Sequence, residues 1–127
     1  MRFNPNINPN HPTRCGHGRN THCGTVSELV FGRAIPAGGE VTDYAIQAFL
    51  DSFVLPRFPE GFTVTTSVGV WKGGKEASFS VSVVYGIDPA ERKDVGVKLE
   101  EIRAEYIRRH GQESVLRIDT PVTYSFD

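Results

Sequence analysis

From Thr25 onward the apolar positions of this chain switch between a period of two and a period near three and a half, the signatures of strand and helix. Leu29, Val30 and Phe31 lie in a strand candidate, residues 27–35, that the PAGGE segment breaks with a turn. Thr42 suits a helix N-cap, with Asp43 in the first turn. Ile46, Phe49, Leu50 and Phe53 then recur at i, i+3, i+4 and i+7, one stripe of a helix that Pro56 and the RFPEG turn are expected to end. Residues 61–73 alternate: Phe62, Val64, Val68 and Val70 take one side, Thr63, Thr65, Ser67 and Trp71 the other. After a turn placed at Gly73 and Gly74, Phe79, Val81, Val83 and Tyr85 alternate with Ser78, Ser80 and Ser82, which completes a hairpin. Asp88–Pro89 and Asp94 are both suitable starts for a second helix, whose stripe is Val95, Leu99, Ile102 and Tyr106 and whose natural stop is Gly111. ESVLRI is a last core strand, and Val122, Tyr124 and Phe126 suggest an extra edge strand beyond Pro121.

The order β-α-β-β-α-β predicts an α+β, ferredoxin-like fold: a four-stranded antiparallel sheet with two helices on one face. Strands one and three are then central. The other face is expected to be hydroxyl-rich, with Thr63, Thr65, Ser67, Ser78, Ser80 and Ser82, and to include Glu28 and Arg117. Such a face is solvated, covered by another subunit, or the floor of a ligand site. A charged pair on it serves an interface or orients a polar ligand.

Composition changes the picture at the N-terminus. Residues 1–24 are rich in Asn, Pro, Gly and His, cannot build a core, and read as an extended arm before a domain at 25–127. The formal net charge of −1 argues against a nucleic-acid-binding field. No apolar run reaches the roughly 18 residues of a membrane span, and the first residues lack the apolar core of a secretory signal. A cytoplasmic location with reduced cysteines is the expectation, with neither nucleic acid nor membrane as partner.

Four segments offer chemistry. Cys15, His17, His22 and Cys23 carry zinc-competent groups, but the spacing is unusual and an arm that contacts a partner is the competing reading. In Trp71 to Glu76, Gly73 and Gly74 permit close backbone approach, Trp71 can stack, and Glu76 can pair with an amine; a plain hairpin turn explains the same residues. The second helix carries Glu100, Glu101, Arg103, Glu105, Arg108 and Arg109, either a solvated ion-paired face or, through Glu105 and Tyr106, one wall of an inter-subunit cleft. No catalytic triad and no nucleotide-binding glycine pattern is visible.

The blocks ELVFG, RFPEG, VW and QESVLR resemble a bacterial family of uncharacterised function, over roughly residues 27–126. The resemblance implies a ferredoxin-like domain and no particular activity. Many relatives begin with a lipoprotein-type signal where this chain has its CGHGRNTHCG arm, and carry Gln where this chain has Val68 and Val70. Shorter features are similar to phage S-adenosylmethionine lyases: a Gly-aromatic start to strand two, an acid before strand three (Glu76), and a Gln-acid-small-Val-Leu start to strand four (Gln112 to Leu116). That resemblance implies a trimer with its ligand between subunits.

Two functions are expected on this basis. One is a cofactor-free enzyme acting on a small polar metabolite at a subunit interface, in its most concrete form a lyase that turns S-adenosylmethionine into methylthioadenosine and homoserine lactone. In that form Glu76 holds the substrate amine, Trp71 or Tyr106 stacks on the adenine or sulfonium, and Glu105 binds the ribose, with Gly73, Gly74 and Arg117 completing the site. The alternative is a non-catalytic oligomeric binding or assembly module whose arm contacts a partner.

Overall fold

The computed structural model describes residues 20–126. Four strands, β1 (His22–Gly32), β2 (Thr63–Trp71), β3 (Gly74–Gly86) and β4 (Leu116–Tyr124), form one sheet in the order β2-β3-β1-β4. Every pairing is antiparallel. With two helical segments between the strands this is the expected ferredoxin-like α+β fold. β1 starts at His22, so the last residues assigned to the arm pair in the sheet; residues 1–19 lie outside the described residues.

The first helix, α1, runs from Asp43–Phe49 through a π-helical turn at Leu50–Val54 and finishes at Leu55–Arg57. Thr42 caps it, its hydroxyl accepting from the Ala45 N–H at 3.1 Å. Pro56 was expected to stop this helix, and instead the helix widens ahead of it. Proline lacks an N–H and crowds the carbonyl four residues back; a π turn shifts the hydrogen bonding by one residue and relieves both. The extra residue rotates the stripe, so that Phe49, Leu50 and Val54 are buried while Phe53 is half-buried.

The second helix, α2, spans Pro89–His110, with Asp88 as N-cap and Gly111 in the left-handed conformation at its end. Of the two starts, the structure uses Asp88. The stripe Val95, Leu99, Ile102 and Tyr106 is buried. It meets Leu29, Phe31, Phe79 and Val81, and the Phe31 ring stacks on Phe79 at 4.7 Å and lies edge-on to Tyr106 at 4.8 Å.

The tight turn of the hairpin is Lys72–Gly73, one residue earlier than the sequence suggested, and both have positive φ, 50° and 80°. Two residues in that conformation match the right-handed twist of the flanking strands. β4 is a single strand running through Pro121, not a strand plus a separate edge piece; Pro121 is tolerated because β4 is at the sheet edge.

Register decides the two faces. Ser27, Leu29, Phe31, Phe79, Val81, Val83 and Tyr85 point to the helices. Arg117 pairs with Leu29 and Asp119 with Ser27, so both also point to the helix side. The expectation that Arg117 shares the open face with Glu28 is therefore corrected. Arg117 ion-pairs with Glu100 of α2 and with Asp119, each at 3.0 Å, and its place on the open face is taken by Leu116 and Ile118. That face has a hydroxyl half on β2 and β3 and an aliphatic half on β1 and β4.

Candidate functional site

Gly32, the glycine of the ELVFG block, is where separate parts of the chain converge. A Cβ at this position would collide with Glu76 Oε1 and stand 3.7 Å from Gln112 Oε1. The missing side chain thus leaves room for two acceptor oxygens above the β1 backbone. Beneath, the Tyr106 hydroxyl donates to the Gly32 carbonyl at 2.6 Å.

Each element places its residue for a local reason. Glu76 lies on β3 two positions before Ser78, the rung opposite Gly32, so it shares the open-face parity. Gln112 follows the Gly111 cap, which turns the chain off α2 toward β4; its backbone N–H donates to the Ile107 carbonyl at 3.1 Å. Its side-chain nitrogen donates to the carbonyls of Ala34 at 3.0 Å and His110 at 3.3 Å. Those two bonds orient the amide, and its Oε1 lies near the same point above Gly32 as the Glu76 carboxylate. The pair offers acceptors and no donor, which suits an ammonium or another cationic N–H group. No ion pair or hydrogen bond occupies the Glu76 carboxylate among the described residues.

Burial pushes the Tyr106 phenol up to about 12; the Glu76 carboxylate adds to this and Arg33 opposes it. Tyr106 therefore keeps its proton near neutrality and acts as a donor. Its ring is fully buried, edge-on to Phe49 and Phe79, so it has no open face for a ligand base to stack on.

The other expected site residues lie apart from this cluster. Glu105 is half-buried on α2, bonded to Arg108 at 2.6 Å and Arg109 at 3.0 Å. The hydrogen bond from Arg108 holds its carboxyl below the ordinary range, with Arg109 adding to the effect. Arg109 in turn lies over the Phe49 ring of α1, at 5.4 Å. Trp71, Gly73 and Gly74 form the hairpin tip beyond Glu76. Arg117 is on the opposite sheet face. It belongs to a polar chain in which Tyr85 donates to Ser27 at 2.7 Å, Ser27 donates to Asp119 at 2.5 Å, and Asp119 and Glu100 both accept from Arg117 at 3.0 Å. His22 packs on the Tyr124 ring at 5.3 Å. Cys23 is disulfide-bonded, which corrects the expectation of reduced cysteines. Cys15 and His17 lie outside the described residues. No cluster of metal-ligating side chains is found among the described residues, and no described helix is long and apolar enough to cross a membrane.

Sequence reasoning missed Gly32 and Gln112 as site residues. The signal was present as a polar Gln beside a helix stop and a Gly ending a β-branched and aromatic strand, but nothing local ties those two together. Two concavities occur elsewhere. A shallow groove of about 620 Å³ between α2 and β4 is lined by Gly96, Val97, Ala104 and Arg117. A cleft of about 240 Å³ under the RFPEG loop is lined by Phe58, Tyr85, Glu91 and Asp94. Neither includes Glu76 or Gln112.

Solved structures of a phage SAM lyase share this fold. The apo form superposes with a TM-score of 0.58 at 16% identity, covering 82% of this chain and 89% of that one. The complex with S-methyl-5'-thioadenosine gives 0.56 at 14% identity, covering 81% and 90%. No curated protein matches the sequence. Residues 26–126 match DUF3574, a family of proteins of unknown function. The match spans all four strands of the sheet but the first residues of β1, and with its LxFG, RFPxG and QESVLR blocks now placed in one fold, the chain belongs to the DUF3574 family.

Proposed function

We propose that this protein is a cofactor-free lyase acting on S-adenosylmethionine at an interface between copies of the chain. The observation that carries the reading is the acceptor pair of Glu76 and Gln112 over Gly32, on a fold shared with a phage SAM lyase. The α-ammonium of the substrate is a cation with three donors and suits that pair.

The reaction itself needs little from the protein. The substrate carboxylate oxygen attacks its own γ-carbon, the Cγ–S bond breaks, and the electron pair goes to the sulfonium sulfur. Homoserine lactone and neutral methylthioadenosine result, with no proton to move. A site that fixes the ammonium sets the carboxylate in line with the leaving sulfonium, and effective molarities for such intramolecular attack reach about 10⁵ M or more. Excluding water then suppresses competing solvation of the carboxylate.

Neither of the two concavities described above includes Glu76 or Gln112; in this reading the walls come from a neighbouring copy seated on the open face, in a homo-oligomer for which a trimer is the favoured form. In this reading Glu105 contacts the substrate ribose from such a neighbour.

The test is incubation with S-adenosylmethionine and chromatography for methylthioadenosine. Product is expected, with Glu76→Gln lowering substrate affinity at least tenfold. If no product forms and calorimetry detects no binding of substrate or methylthioadenosine, the lyase reading falls, and a non-catalytic assembly module whose N-terminal arm contacts a partner takes its place. If Glu76→Gln matches the wild type, the chemistry stands and the assigned site does not.

A further inference from the structure

The ladder between β1 and β3 ends at Gly32–Ser78, yet β2 and β3 stay paired out to Trp71–Gly74. The end of the hairpin therefore projects past the central strand as a two-stranded ribbon. Val68 and Val70 are on its helix-side face, but neither described helix covers them, and they are 67% and 72% exposed. The exposed Lys72 and Lys75 sit at the tip, with no ion pair among the described residues. A free two-stranded ribbon in water is marginal, and exposed valines on one add nothing to its stability.

The open face of the sheet presents the complement. Leu116, Ile118 and Val84 are exposed there at 57%, 42% and 51%, beside the half-buried Val26 and Val30. Glu28 stands among them, opposite Ser82 on β3 and Ile118 on β4, and no ion pair engages it among the described residues. One surface is aliphatic with two unpaired cations, and the other is aliphatic with an unpaired anion.

We infer that the projecting hairpin of one copy docks on the aliphatic half of a neighbouring copy's open face, with Val68 and Val70 against Leu116 and Ile118 and a tip lysine against Glu28. The two surfaces differ, so the contact is head-to-tail and closes into a ring when the rotation between copies permits. It also carries the segment from Trp71 to Lys75 across the neighbour's sheet. The inference rests on the reading of the open face as an interface between copies and names what covers it.

Two measurements test it. In light scattering, the wild type is expected at a multiple of 14.0 kDa. Val68→Ser/Val70→Ser and Glu28→Lys are expected at the single-chain mass with unchanged circular dichroism. Adding Lys72→Glu and Lys75→Glu to Glu28→Lys in one chain is expected to restore the multiple. In an equal mixture of ¹⁴N and ¹⁵N wild-type protein, a zero-length carbodiimide should join Glu28 of one isotope to Lys72 or Lys75 of the other, a readout that needs no variant to fold. If the oligomer persists in Val68→Ser/Val70→Ser and no mixed-isotope Glu28–lysine link forms, the hairpin is not the occupant, while the interface reading survives. If the wild type is a single chain, both fall.

Discussion

The Tyr106 hydroxyl donates a 2.6 Å hydrogen bond to the carbonyl of Gly32, joining the last turn of α2 to the end of β1 directly under Glu76. Core and candidate site are thus one structure at this point. Tyr106→Phe keeps the ring packing and leaves that carbonyl without its donor. The expected loss of folding stability is about 1–3 kcal/mol, read from the urea midpoint at unchanged slope. The phenol, held near 12, should also be absent from an ultraviolet titration of the wild type below about pH 11.

Gly32→Ala tests the space above the strand. The added methyl meets the end of the flexible Glu76 side chain, which can swing aside, so stability should change by about 1 kcal/mol or less. Displacing the carboxylate should nonetheless weaken methylthioadenosine or substrate binding by tenfold or more in calorimetry. A large stability loss with binding intact would show that Gly32 serves packing alone.

The polar chain on the helix side predicts an acid limb. Partial burial works to raise the Asp119 carboxyl, but hydrogen bonds from Ser27 and Arg117 outweigh it and the net shift is downward from 3.8. Burial likewise opposes, and Arg103 and Arg117 override, at Glu100, which is lowered from 4.5. Carboxyls lowered on folding stabilise fully above their unfolded values and lose that contribution as pH falls through the folded ones. Stability should therefore decline below about pH 4.5, and Asp119→Asn should flatten the lower part of that decline in pH-dependent urea titrations.

His110 predicts a separate step nearer neutrality. Burial, then the adjacent Arg109, push its imidazole below 6.5, with Glu105 opposing. Its Nε2 is buried without a partner among the described residues, and the ring lies 4.8 Å from Tyr106 and 6.3 Å from Phe49. The unfolded chain takes up this proton first, so stability falls as pH drops from 6.5 toward the lower folded value and then levels. His110→Phe should remove that slope. An unchanged pH profile would place the ring's titration in solvent.

Much of this architecture is legible in the sequence because it is set by near neighbours. Thr42, Asp88–Pro89 and Gly111 mark helix ends through bonds within a few residues. The serine–valine alternation from Ser78 to Tyr85 names the two faces of β3 because one set is uniformly apolar. β4 defeats the same argument. Its alternating sets are Leu116 and Ile118 against Arg117 and Asp119, and apolar residues alone would send the first set inward.

The sequence by itself determined the element order, the caps, and the apolar rows of β3 and α2, since those depend on periodicity and on contacts a few residues away. The tertiary structure decided which side of β4 faces α2, because Glu100 and Ser27 reward Arg117 and Asp119 from 17 and 92 residues away. It also decided that Gly32, Glu76, Tyr106 and Gln112 meet, because strands and helix ends far apart in the chain converge only once the sheet has its register.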